Sequence, residues 1–174
     1  IRPLDNPIEE KGGIAILYGN LAPNGAVIKR SAASEHLLSH RGPAKVFEDL
    51  KECQDYLLDE NSPVTPDTVI VLRGYGPKGA PGMPENGNFM PLPPKLNKMG
   101  INDFVRITDS RMSGGCFGTQ VLHVAPESAV GGPLAVVRDG DIIHLDVDKN
   151  LIEVEISDEE LQRRLKNFVP KEHK

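Results

Sequence analysis

Asp141-Ile142-Ile143-His144-Leu145-Asp146-Val147-Asp148-Lys149-Asn150-Leu151-Ile152-Glu153-Val154-Glu155-Ile156 is the clearest structural signal in this chain. Ile143, Leu145 and Val147 alternate with polar residues, Asp148-Lys149-Asn150 supplies turn chemistry, and Ile152, Val154 and Ile156 resume the alternation. Successive side chains of a strand point to opposite faces, so the pattern predicts a β-hairpin with one buried face. Directly after it, Ser157-Asp158-Glu159-Glu160 reads as a capping box. Leu161, Leu165 and Phe168 then recur at helical spacing, which predicts a closing amphipathic helix.

Working outward, Asp67-Thr68-Val69-Ile70-Val71-Leu72-Arg73 is apolar at consecutive positions and predicts a central strand buried on both faces. Gly13–Asn20 is a short apolar run between glycines and predicts another strand. Leu21–Gly25 carries turn residues, and Ala26–Lys29 predicts a second strand. From Gly42-Pro43 to about Glu60, the spacing of Val46, Leu50, Cys53 and Leu57 predicts a helix. A shorter helix is expected over about 92–99, and a strand over Phe104–Thr108. The order of elements is mixed α/β with strands in excess.

Composition narrows the function classes. A length of 174 residues implies one domain, and 39% hydrophobic with 26% charged residues is ordinary for a globular chain; mean hydropathy is -0.31. No apolar run approaches the roughly 18 residues that span a bilayer. A net charge of -5, no Trp, three Tyr and five Phe argue against a nucleic-acid footprint, which needs a basic face and stacking platforms. The two cysteines, Cys53 and Cys116, are too few for a zinc or iron–sulfur site of their own. They suggest a reducing setting, cytoplasmic or organellar, with the cytoplasm as the expected location. The first residues, Ile1-Arg2-Pro3-Leu4-Asp5, lack both an initiator Met and a signal-peptide pattern, which suggests a processed or excised piece.

Two glycine-rich segments could carry chemistry. Gly74-Tyr75-Gly76-Pro77-Lys78-Gly79 matches the spacing of a dinucleotide fingerprint. However, Pro77, Pro81 and Pro84 forbid the helix whose N-terminus would face a pyrophosphate. Asp109-Ser110-Arg111-Met112-Ser113-Gly114-Gly115 places a serine before two glycines, whose N–H groups a ligand can approach. A hydrolase would use Ser113 as nucleophile, His123 as base and Asp109 as orienter, but Arg111 stands where a nucleophile elbow needs Gly. On residue types alone the segment is a glycine-rich turn with a capping serine. His123, in the apolar run Val121–Val124, is by the same standard a core or barrel-lining histidine.

Taken together, several blocks resemble the C-terminal domain of the dihydroxy-acid and sugar-acid (aldonate) dehydratase family. They are Gly19–Lys29, Arg41-Gly42-Pro43-Ala44, Gly76–Glu85 and Thr108–Gly115, then His123–Glu127, Gly131-Gly132-Pro133 and Asp139-Gly140-Asp141. The resemblance runs in register through nearly the whole chain. It implies a swivelling β/β/α domain with a barrel-like mixed sheet flanked by helices. It also implies a hydro-lyase that converts a 2,3-dihydroxy carboxylate to a 2-keto-3-deoxy acid with Mg²⁺ and an iron–sulfur cluster of 2Fe–2S or 4Fe–4S type. Ser113 takes the place of the serine base and Glu85 that of a magnesium ligand, with Gly114 and Gly115 as candidate backbone donors to substrate.

The same resemblance implies that residues 1–174 are a C-terminal part. The cluster cysteines, the other magnesium ligands and a carbamylated lysine belong to an N-terminal domain that acts as this chain's partner. The chain stops at Val169–Lys174, where many relatives continue, and by itself it is expected to be inactive; the full-length enzyme is expected to be a homo-oligomer with no nucleic-acid or membrane partner. Cys53 is expected in the core, and Cys116 is a bystander thiol near the serine loop. The wording around Arg111-Met112-Ser113 and Pro91–Leu96 resembles the sugar-acid branch, with a small polyhydroxy carboxylate as substrate, more than the branched-chain amino-acid branch. Two other classes stay open on the residues: a Ser113 hydrolase and a non-catalytic binding domain.

Overall fold

The alternation of the C-terminal hairpin is satisfied by a closed barrel. The structure, a computed structural model, describes residues 2–8, 10–87 and 89–170. Strands β1 (Ala15–Gly19), β2 (Ala22–Ile28), β3 (Ser39–Phe47), β4 (Val69–Leu72), β5 (Arg106–Thr108), β6 (Gln120–Leu122), β7 (Ile142–Asp146) and β8 (Leu151–Val154) close in the order β1-β2-β6-β5-β4-β3-β7-β8. Strands β3, β4, β5 and β6 run parallel to one another, while β2 joins β6 antiparallel and β8 closes onto β1 in parallel. The expected mixed α/β barrel is therefore present.

Hairpin β7–β8 pairs Ile143 with Val154 and Leu145 with Ile152. These four side chains, with Val147, lie in the barrel core beside Leu17, Val69, Val71 and Ile107. The predicted two-faced strand is equally clear. Val69 and Val71 point into the barrel, whereas Ile70 and Leu72 point outward into a second core with Phe47, Cys53, Leu57, Leu96 and Phe104. Each such fully buried side chain contributes roughly 1.5–3 kcal/mol relative to exposure. Two helices cover that second core, α1 (Leu50–Leu58) and α2 (Pro94–Lys98), while α3 (Asp158–Lys166) closes the chain. The Ser157 hydroxyl accepts from the Glu160 N–H at 3.2 Å, as the capping pattern requires.

Two boundaries differ from expectation. The predicted helix from residue 42 to 60 is a strand followed by a helix. Residues up to Phe47 form β3, sandwiched between β4 and β7, and Val46 belongs to that strand. The switch occurs at Asp49, which takes an extended conformation and accepts the Glu52 N–H at 2.9 Å as the α1 N-cap. The turn predicted at residues 21–25 lies earlier, since Gly19 already pairs with Ala22. Asn20 makes the tight turn possible: its amide donates to Val154 O and accepts from Val154 N, both at 2.8 Å, standing in for a backbone partner of β8. Among the described residues no helix is long and apolar enough to cross a membrane.

Candidate active site

Parallel pairing sends three loops to one end of the barrel. β4 leads into the segment that holds Glu85, β5 into the segment that holds Ser113, and β6 into His123 and Glu127. The carboxyl ends of adjacent parallel strands are where α/β proteins assemble ligand sites, because the loops there are free to vary while the strands stay fixed.

The loops are stitched together by charge-assisted bonds. Arg111 donates from Nη1 to Glu85 Oε1 at 2.6 Å and from Nε to Met83 O at 2.8 Å, and Asn86 N donates to Arg111 O at 3.0 Å. Glu85 and Arg111 also form an isolated parallel bridge. Glu85 is thus held beside a residue two positions before Ser113, and the Glu85 and Ser113 loops converge. Asp109, 1% exposed, accepts from Gly74 N, Tyr75 N, Ser128 N and the Ser128 hydroxyl at 2.6–3.2 Å, tying all three loops to β5. Glu127 accepts from Lys78 N at 2.7 Å and from Gly79 N at 3.3 Å. A Cβ at Gly76 would fall on the Glu127 carboxylate, so glycine is required there. The dinucleotide-like spacing therefore serves an internal carboxylate that occupies the donors a phosphate would need.

Ser113 is 8% exposed, and among the described residues its hydroxyl has no hydrogen-bond partner. The turn it opens is closed by Cys116 N donating to Ser113 O at 3.2 Å. Nothing lies within 4 Å of the positions where Gly114 and Gly115 would carry a Cβ, leaving open space over their backbone. The hydrolase geometry is absent. His123 Nε2 accepts from Met112 N at 2.9 Å rather than facing the serine, and the Asp109 carboxylate serves loop N–H groups rather than His123. Burial lowers the His123 pKa below the ordinary 6.5, and Arg111 lowers it further. The ring is therefore neutral at physiological pH, but its lone pair is already used.

The far end of the serine loop has its own anchor. Asp103 accepts from Thr119 N at 2.9 Å, from the Thr119 hydroxyl at 2.7 Å and from Ser34 N at 3.1 Å, and it pairs with Arg106 at 3.0 Å. Arg106 in turn donates to Phe117 O and Met90 O and stacks over Phe104 at 4.6 Å. A cavity of about 170 Å³ opens between Gly115 and Gly87, with Arg106, Gln120, Asn102 and Phe117 among its walls. Its lining thus draws on both the Ser113 loop and the segment that holds Glu85.

Residues 1–174 match the family described as Dihydroxy-acid/6-phosphogluconate dehydratase C-terminal. The chain belongs to that dehydratase family. It is 55% identical to an L-arabonate dehydratase of Azospirillum brasilense over 98% of this chain and 29% of the relative. It is 53% identical to a 6-deoxy-6-sulfo-D-gluconate dehydratase of Pseudomonas putida over 100% of this chain and 30% of the relative. It is 47% identical to a dihydroxy-acid dehydratase of Clostridium botulinum over 100% of this chain and 31% of the relative. The chain therefore spans about 30% of the length of the curated relatives it matches.

A family of this kind raises the question of which metal ligands the chain could supply. Arg111 engages only Oε1 of Glu85, and the half-exposed carboxylate keeps Oε2 for a hard cation such as magnesium. Among the described residues no group of three His, Cys, Asp or Glu side chains is placed to hold a metal. Glu85 could therefore contribute one ligand, with the others having to come from elsewhere. Neither thiol fits a cluster. Cys53 lies in the second core, where burial pushes its thiol up to about 12. Cys116 is buried in the serine loop, and burial raises its pKa against the pull of Arg106 and Lys29.

Proposed function

We propose that this chain is the base-bearing domain of a hydro-lyase that removes water from a 2,3-dihydroxy carboxylate, most fittingly an aldonic sugar acid. One observation carries the reading: parallel strands β4, β5 and β6 deliver Glu85, Ser113 and the His123 segment to the same end of the barrel, where Arg111 draws the first two loops together. As its alkoxide, Ser113 accepts the C2 proton; the C–H electron pair forms the C2–C3 double bond, and the C3 hydroxyl leaves and takes up a proton as water. The enol so formed tautomerises to the 2-keto-3-deoxy acid. A serine hydroxyl is a weak base at neutral pH and needs nearby positive charge to give up its own proton. The His123 ring is engaged with Met112 and the Arg111 guanidinium with Glu85, so the reading assigns that charge to metal centres held largely outside this chain.

Glu85 would be one residue holding magnesium, and the ion would supply Lewis acidity that acidifies the C2 proton. The N–H groups of Gly114 and Gly115, two exposed residues with open space at their Cβ positions, are suited to stabilise oxygen charge as it develops. The iron–sulfur cluster and the remaining magnesium ligands are assigned to the part of the enzyme outside this chain. A substrate with hydroxyls beyond C3 suits the cavity beside Gly115, which is walled in part by the polar side chains of Arg106, Gln120 and Asn102. The relatives with sugar-acid names are also more similar to this chain than the dihydroxy-acid relative is.

Glu85→Gln in the complete enzyme tests the metal assignment. It keeps the side chain's shape and removes its charge. The Mg²⁺ concentration for half-maximal turnover should rise at least roughly tenfold, the scale seen for losing even an outer-shell partner. An unchanged magnesium titration would remove Glu85 from the site. Turnover of an alkyl dihydroxy acid in preference to aldonic acids would overturn the substrate assignment alone.

A further inference from the structure

His123 follows β6 with φ 53, in the left-handed region that a non-glycine residue adopts only at a cost and under constraint. That conformation turns both of its polar handles onto one loop. Its backbone N–H donates to Ser110 O at 3.0 Å, and its ring Nε2 accepts from Met112 N–H at 2.9 Å. Beyond Met112 the serine turn has little to fix it. Gly114 and Gly115 bring no side chain to pack, and one bond, from Cys116 N to Ser113 O, closes the turn.

We propose that His123 is a positioning residue for Ser113: as a neutral ring protonated on Nδ1, it holds the Met112 N–H and so fixes the turn that presents the serine hydroxyl. The inference rests on Ser113 being the base of the proposed dehydration. A backbone N–H needs a lone pair to donate to, and an imidazolium has none, so protonation removes the anchor. The surroundings give the proton no carboxylate to pair with. Arg111, on the serine loop, is the charged group that acts on the ring. Asp109 on the same loop is turned to Gly74, Tyr75 and Ser128, Glu127 is turned to Lys78 and Gly79, and residues 24–26 of β2, bonded to Ala125, carry no charge. Burial, then Arg111, holds the ring pKa below 6.5. The anchor is therefore intact above that pH and is lost as pH falls through the lowered value.

The test compares two variants of the complete enzyme. In His123→Gln the amide oxygen can reach the place of Nε2, accepts a hydrogen bond and does not titrate. In His123→Leu the bulk remains and the acceptor is gone. His123→Leu should lose on the order of 10²-fold in kcat, the scale of a small misplacement of a reacting group, with KM and metal content near those of the parent. His123→Gln should recover most of that loss, and the acid limb of the parent's kcat profile attributable to the ring should disappear. Parent-like kcat in His123→Leu overturns the proposal, as does His123→Gln with full metal content and no recovery, or with an unmoved acid limb. If His123→Leu does not fold, the pH profile of His123→Gln decides. Failure of the underlying reading looks different, because turnover would then survive Ser113→Ala as well.

Discussion

Ser113→Ala in the complete enzyme should lower kcat by about 10²–10⁴-fold, the range attributed to a positioned acid or base, while cluster absorbance and substrate KM stay near the parent's. The expectation follows from what Ser113 touches. Its hydroxyl has no partner among the described residues, so removing it breaks no bond among them and leaves none of their polar groups unpaired. The backbone bond from Cys116 N to Ser113 O survives the substitution, as does the anchor from Met112 to His123. The glycine turn should therefore keep its shape. A folded variant that has lost turnover would place the missing group in the chemical step. Because neither Cys53 nor Cys116 is suited to bind a cluster, the spectrum of the iron–sulfur cluster proposed for the rest of the enzyme should not change. Retained turnover would leave the chain as a docking or binding domain and would remove the base assignment altogether.

How much of this could be read from the residues depends on whether the deciding partners are near in sequence. The hairpin and α3 were legible because Ile143, Leu145, Ile152 and Val154, then Ser157 and Leu161, state their burial and their cap within a few residues. The two-faced burial of β4 was legible from its unbroken apolar run. β3 was not, because Val46 at the end of a strand and Leu50 at the start of a helix happen to stand four apart, imitating one helix across the Asp49 boundary. In the site, Ser113 and Glu85 were identified by resemblance rather than by chemistry, since a serine before two glycines is equally a turn. The groups that shape the site were harder still to see. Arg111 reaches Glu85 26 positions back, and Glu127 fills the Lys78 and Gly79 donors across 49 and 48 positions. His123 was expected in the core or lining the barrel, yet it is only half-buried just past the end of β6, and its bond to Met112 depends on a left-handed backbone that no local pattern announces.

Asp103 carries the largest expected effect on stability. It is 3% exposed and serves as acceptor for Ser34, Phe104 and Thr119 while pairing with Arg106, itself 7% exposed. The fit is tight, since a Cβ at Gly118, held at φ 80, would fall on both charged groups. Burial by itself would raise the Asp103 pKa, but the hydrogen bonds from Thr119 and Ser34 outweigh it, and the net shift is downward. A carboxylate with a depressed folded-state pKa contributes stability above its unfolded value, here 3.8, and that contribution is lost as pH falls below it. Asp103→Ala leaves Arg106 buried with an uncompensated charge. Its Nε already lacks a partner among the described residues, so the expected cost is about 3–5 kcal/mol. Chemical unfolding of the 174-residue chain should record it as a lower midpoint at unchanged slope. Adding Arg106→Met should restore part of the loss, because two buried charges removed together cost less than one stranded. If the single and double variants unfold together, the pair is not the source of the stability. The serine loop would then have to owe its far anchor to Thr119 and Ser34 alone.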